Sequence, residues 1–159
     1  MTVRPLAELI DRHAAALVLY ARQWCGTPDD VVQEAFCRFV AQRKPPTDPA
    51  AWLFRVVRNA AMDAGKADRR RRTRESRVAK VEWFAEAEVE GLDAEDAIAA
   101  LESLPPDQRE VIVARLWGGL TLEQVAASAG CSVSSAHRRY EAGIAALRER
   151  LGVECPKKM

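Results

Sequence analysis

The sequence is poor in the residues that metal and redox chemistry draw on. Its 159 residues hold only two histidines, His13 and His137, and four cysteines, at positions 25, 37, 131 and 155. No two cysteines form a Cys-x-x-Cys pair, and no His/Cys set has ligand spacing, so no metal and no cofactor are expected. The thiols read instead as small buried or half-buried side chains in a reducing compartment. Catalytic signatures are equally scarce. There is no Gly-rich phosphate loop and no Ser/His/Asp set, and the one paired-carboxylate site, Asp29-Asp30, suits a helix N-terminus. A protein without enzymatic activity is expected. No apolar run approaches the ~20 residues that a membrane span needs. The first ten residues carry an acid, Glu8, and lack a secretory apolar core. Together these absences predict a soluble, cytoplasmic chain that does not insert into membranes.

Net charge is also nearly absent, at +1, but the average hides a segregated pattern. From Lys66 to Lys80 eight basic residues stand against two acids, and from Glu82 to Asp96 seven acids occur with no base. Segregation of this kind says more than the net value. The basic block fits contact with phosphates through counterion release; its ordinary alternative is a solvated helix end or linker.

The apolar content, 48%, is mostly Ala, Leu and Val, and its spacing is helical throughout. Leu6, Leu9, Ile10, His13, Leu17, Tyr20, Ala21 and Trp24 share one face of a first helix over 6–24, ended by Gly26, with His13 as a satisfied residue at the core edge. Thr27-Pro28-Asp29-Asp30 then reads as N-cap, proline at the first helical position and acids on the helix dipole. This second helix runs to about Val40 and is expected to bury Val32, Ala35, Phe36, Phe39 and Val40, leaving Asp29, Asp30, Gln33, Glu34 and Arg38 on its other face. Three prolines between Lys44 and Pro49 make a loop. The third helix starts near Pro49, with Trp52, Leu53, Val56, Val57, Ala60, Ala61 and Ala64 on its packing side. Arg55, Arg58, Met62 and Lys66 form a mostly cationic stripe that leads into Arg69-Arg70-Arg71-Arg72.

Residues 1–72 thus make a first module, 73–92 a linker, 93–153 a second module and 154–159 a tail. Trp83 and Phe84 in the linker are able to dock on either module or to cap a short helix. In the second module a helix over 93–104 buries Ala97, Ile98, Leu101 and Leu104. Another, from Asp107 to Trp117, ends at Gly118-Gly119. Thr121 and Gln124 form a capping box. Gly130 supplies a turn, Ser132 caps again, and the last helix places Val133, Ala136, Tyr140, Ile144, Leu147 and Leu151 on one face. Leu120 to Arg139 therefore has the proportions of a helix-turn-helix, with small Ala126 at the crossing and a positive φ available at Gly130. In that motif the start of the second helix enters the major groove. Here it presents Ser132, Ser134, Ser135, His137, Arg138 and Arg139: hydroxyls for phosphates and base edges, and arginines for bidentate contact to guanine.

Asp29-Asp30-Val-Val-Gln33-Glu34-Ala-Phe36 and Ala51-Trp52-Leu-Phe-Arg55-Val-Val-Arg58-Asn59-Ala-Ala-Met-Asp63 resemble region 2 of the extracytoplasmic-function (ECF, group IV) sigma factors of the sigma-70 family. Leu104-Pro105-Pro106-Asp107-Gln108-Arg109-Glu110-Val111 with the helix-turn-helix resembles their region 4. The ordered set covers nearly the whole chain. The resemblance implies an all-α fold of two small helical domains and a role in directing core RNA polymerase to promoters. It implies that Asp29, Asp30, Gln33 and Glu34 dock on the β′ clamp helices, and that region 4 meets the β-flap. Trp52, Arg55, Arg58, Asn59, Lys66, Arg69 and Arg70 would serve the −10 element, the helix-turn-helix would read the −35 element, and an anti-sigma factor would occlude these faces. The 20 residues from Thr73 to Leu92 reach at most roughly 65–70 Å, comparable with two turns of B-DNA at about 34–36 Å each. Both modules can therefore engage one promoter, with tethering raising apparent affinity. Two alternatives stand beside this reading: a helix-turn-helix regulator that never docks on polymerase, and an interaction or sensing module built on the cysteines.

Overall fold

The computed structural model of the protein describes residues 3–73 and 94–152. It is all-α, with seven helices and no strand among the described residues: α1 Val3–Ala21, α2 Pro28–Val40, α3 Pro49–Arg72, α4 Ala94–Ser103, α5 Pro106–Leu116, α6 Leu122–Ala129 and α7 Val133–Leu151. Helices α1, α2 and α3 pack pairwise as a first body, and α5, α6 and α7 pack together with α4 laid on α7 as a second. The expected linker, with Trp83 and Phe84, lies outside the described residues except for Thr73.

Local chemistry explains most helix boundaries. Asp48 accepts the Ala51 amide at 3.0 Å, and Pro49 takes the first position of α3, where a missing N–H costs nothing. The Thr121–Gln124 box closes in both directions, at 2.8 and 3.2 Å. Gly130 ends α6 at φ +67°, a left-handed position that a side chain would strain, and Ser132 accepts the Ser135 amide at 3.1 Å. Gly65 serves a different need. A Cβ there would fall 2.0 Å from the Trp24 carbonyl, so this glycine lets α3 pass against the turn that follows α1.

Several expectations are corrected. Helix α1 stops at Ala21, and the turn at 22–24 carries Trp24 back onto the core edge-on to Tyr20, with ring centroids 5.0 Å apart. Thr27 starts α2 without a side-chain cap; Pro28 and the two acids do that work. Ile10, Val40 and Val133 are exposed because they fall outside the arc each helix turns inward, whereas Val31 and Phe54 are core. Phe36, Ala97 and Ile98 are only half-buried. Among the thiols, Cys25 is buried and pushed up in pKa by that burial, Cys131 is half-buried, and Cys37 is exposed rather than covered. Cys155 lies outside the described residues.

The apolar core does not stop at the boundary between the bodies. Leu17, Tyr20, Leu53, Phe54 and Val57 of the first are continuous with Val111, Ala114, Leu120 and Val125 of the second. A smaller cluster, Leu101, Leu104 and Ile112, anchors α4 and α5 on α7.

His13 is buried against the edge of Phe54, and its Nδ1 has no hydrogen-bond partner among the described residues, so it is not the satisfied histidine that the helix pattern suggests. Burial, then the Arg12 charge, lower its pKa, with Asp48 opposing. The unfolded chain therefore takes up a proton at a higher pH than the folded one does. Stability should fall as pH drops from about 7.5 to about 5.5, by at most about 1.4 kcal/mol per pH unit from this one group. Urea melts of His13→Leu and wild type across that range should show a shallower acid slope in the variant.

Candidate nucleic-acid interface

The acidic face of α2 is open. Asp29, Asp30, Gln33 and Glu34 are all exposed, with both aspartates in the first turn, where the helix dipole favours them. Glu34 pairs with Arg38 one turn on at 2.9 Å. The helix offers this face because Val31, Val32, Ala35 and Phe39 turn the other way.

On α3 the cationic stripe splits. Arg55, Asn59, Lys66, Arg69 and Arg70 are exposed, Lys66 lying 3.9 Å from Asp63. Trp52 is half-buried, edge-on to Phe39 at 5.6 Å. With Arg55 it lines one wall of a cleft of about 370 Å³; Pro46, Thr47 and Asp48 lie beside it, and Glu123, Gln124 and Ala127 of α6 form the opposite wall. Arg58 leaves the stripe. Its guanidinium turns inward to the carboxylate of Glu110 and lies over the Trp24 ring, 5.9 Å from the centroid. Burial lowers the Arg58 pKa, but the hydrogen bond and charge of Glu110 outweigh it and raise the value. The expectation of a solvent-facing Arg58 is thus corrected. At the far end of α3, Arg69 and Arg72 share a second cleft, of about 180 Å³, with Arg22 of the turn after α1. The α1 stripe gave no reason to include Arg22.

The helix-turn-helix has the predicted form: α6, a left-handed glycine, and α7 opening at Ser132. Ala126 and Ala136 are buried where the two helices cross. Ser134, His137 and Arg138 are exposed, and His137 Nδ1 lies 3.4 Å from Glu141. Ser132 and Ser135 are committed to the cap, their hydroxyls 2.9 Å apart. Arg139 is half-buried and holds Asp107 at 3.2 Å, while Arg138 has no ion pair among the described residues. Sequence periodicity missed Tyr20, Phe54 and Glu110 as a group, because they meet only across the two bodies. Glu110 closes the polar run Asp107 to Glu110, so nothing in the spacing set it apart from the surface.

A three-helix body with an open acidic helix, packed against a capped helix-turn-helix body, defines the class as a two-module helical protein with a helix-turn-helix. Comparison with known proteins makes this specific. Residues 9–74 match the model of Sigma-70 region 2, and residues 100–149 match that of Sigma-70, region 4. The chain belongs to the sigma-70 family, among its ECF sigma factors. It is 34% identical over 119 residues to the ECF RNA polymerase sigma factor EcfG of Rhodopseudomonas palustris, covering 70% of this chain and 64% of that protein. It is 29% identical over 159 residues to the ECF RNA polymerase sigma factor SigE of Mycolicibacterium smegmatis, covering 91% of this chain and 60% of that protein. The chain spans 45 to 64% of the length of the first curated relatives it matches. Among solved structures it resembles the sigma factor RpoE of Bartonella quintana, captured with the anti-sigma factor NepR, at 25% identity and a TM-score of 0.74 over 96% of this chain and 100% of that one. Among the described residues no helix is long and apolar enough to cross a membrane.

Proposed function

We propose that this chain is a group IV ECF sigma factor, which binds core RNA polymerase and directs promoter recognition and transcription initiation. It acts by binding rather than catalysis, in the cytoplasm. The observation that carries this reading is the union in one chain of an exposed acidic helix face with a helix-turn-helix whose second helix opens on Ser134, His137 and Arg138. A regulator that only bound DNA would have no use for the first.

In this reading residues 1–72 bind polymerase and the −10 element, 73–92 link, and 93–153 read the −35 element. Asp29, Asp30, Gln33 and Glu34 dock on the β′ clamp helices, and the second module meets the β-flap. Trp52, Arg55, Asn59, Lys66, Arg69 and Arg70 serve the −10 element, using cations and an aromatic face to hold single-stranded bases, joined by Arg58 once it is released from Glu110. Ser132 and Ser135 shape the start of α7 while Ser134, His137, Arg138 and Arg139 face the −35 element. That RpoE was captured with the anti-sigma factor NepR supports an anti-sigma factor as a further partner. The test is run-off transcription with core polymerase on a genomic promoter pool. Transcripts from a discrete promoter set are expected; DNA binding without any polymerase-dependent transcript would favour the simple regulator.

The cysteines separate this function from sensing. Replacing all four with Ser or Ala should leave promoter-directed transcription intact. The cost should be about 1–3 kcal/mol of stability, nearly all at buried Cys25. Loss of transcription on thiol oxidation or zinc addition in the wild type, absent from the variant, would count for the sensing alternative.

A further inference from the structure

Glu110 is a carboxylate buried to 4% exposure, and the hydrogen-bond partners its side chain has come from the other body. Tyr20, fully buried in α1, donates its hydroxyl to Oε1 at 2.8 Å. Arg58 on α3 donates from Nε to the same oxygen and from Nη2 to Oε2 at 3.3 Å. This is a bidentate, charge-assisted clasp, the strong form of such a contact. Burial and then the Glu110 charge hold the Tyr20 hydroxyl far above its usual pKa, so it remains a donor.

Two further contacts join the bodies. Asp48, which caps α3 through Oδ1, receives Gln124 Nε2 on Oδ2 at 2.8 Å, while Gln124 uses its oxygen to close the α6 capping box. The starts of α3 and α6 are thereby tied to each other. Gly118 is flush with the Phe54 ring, where a Cβ would fall 2.6 Å from Cζ. The first body thus meets the second along α1–α5 and α3–α6, with the clasp at the centre and apolar side chains around it. One superposition on anti-sigma-bound RpoE takes in both bodies at once.

This arrangement cannot be the one that reads a promoter at two places. Asp48 and Gln124 touch, whereas sites two turns of DNA apart are separated by about 70 Å. Closure also withdraws Arg58 and sets α6 across a cleft from Trp52 and Arg55. We infer that the chain is self-inhibited, with Glu110 as a latch that holds the helix-turn-helix module on the −10-facing module until a partner that binds only the open form draws them apart. The functional consequence rests on the sigma-factor reading; closure itself does not. A buried ion pair suits this role, since its Coulomb gain is largely offset by desolvation and opening returns both charges to water, whereas replacing one partner leaves the other uncompensated in the closed form. The open fraction then scales the apparent affinity for polymerase.

The test uses the full chain, with small-angle scattering for compactness and circular dichroism for helix content. Wild type should be compact. Glu110→Lys sets a cation against Arg58 and should raise the open-to-closed ratio by about a hundredfold or more, expanding the particle without loss of helix. Glu110→Arg combined with Arg58→Glu should restore compactness, which a merely destabilised module would not do. Glu110→Gln with Tyr20→Phe preserves side-chain shape and decides the matter if the lysine variant loses helix: partial expansion supports the latch, and unchanged compactness overturns it. An expanded wild type, a helical Glu110→Lys chain as compact as wild type, or failure of the charge swap to re-close the chain also overturns it. Core polymerase should bind Glu110→Lys more tightly than wild type. Expansion without any polymerase binding would leave the latch standing and count against the sigma-factor reading alone.

Discussion

Asp30→Arg together with Glu34→Arg should abolish co-purification of the chain with core RNA polymerase while leaving it folded. Both residues are exposed on α2, a turn apart on a face that no other helix of the described residues covers. Reversing Asp30 sets a cation in the first turn, where the dipole disfavours it by about 0.3–1 kcal/mol. Reversing Glu34 removes its pair with Arg38, both side chains being 57% exposed, and leaves two cations one turn apart, an exchange worth about 0.3–0.5 kcal/mol each way. These are small against a typical domain stability of about 5–15 kcal/mol. At an interface with a basic surface the same changes create like-charge contacts worth several kcal/mol, and binding should fall by at least about a hundredfold. The measurement is pull-down with core polymerase, with helix content checked in parallel. Full polymerase binding by a folded double variant would sink the docking role of α2.

What could be read before the structure follows the range of the interactions concerned. Helix starts at Pro49, Leu122 and Val133 were legible because proline placement, capping boxes and a glycine turn act within four residues. The helix-turn-helix was legible for the same reason. The face of α2 was legible on its polar side, since acids and amides at helical spacing declare solvent. Its apolar side was less so: Val31 is buried and Val40 exposed, a difference set by where α1 and α3 pack against α2. The inter-module contact left no periodic mark. Phe54 adjoins Leu53 on the edge of a stripe that already looked complete. Arg58 had the spacing of the cationic row with Arg55, and Glu110 belonged to a polar run, Asp107 to Glu110, that reads as surface. Only the fold brings Glu110 to Arg58 and Tyr20, 52 and 90 residues away. The same blindness left Gln124 assigned to one task, its capping box, when its amide nitrogen performs a second.

Arg138→Ala should change which promoter sequences are bound, whereas alanines at Arg69 to Arg72 should change how strongly all of them are bound. Both Arg138 and Arg139 lie on α7 near its start, but the structure separates them. Arg139 is held by Asp107, while Arg138 projects from the exposed side with Ser134 and His137 as neighbours on the first two turns. A guanidinium in that position can bond two acceptors of a guanine edge, so its removal should cost about 1–3 kcal/mol and relax preference at one or two upstream positions. Arg139→Ala should have a smaller effect on base preference, since part of its capacity is spent on α5. The four arginines at the end of α3 are exposed and carry no base-reading geometry of their own. Phosphate neutralisation by these side chains predicts uniform weakening, and a log K against log salt slope that flattens by about one for each phosphate left unneutralised. The measurement is promoter-library binding of the polymerase-bound chain at two salt concentrations for each variant. The Glu110→Lys background provides a control for closure, because a latch that opens more readily scales every sequence alike. Uniform loss for Arg138→Ala, with base preference unchanged in both backgrounds, would show that α7 does not read sequence through this residue.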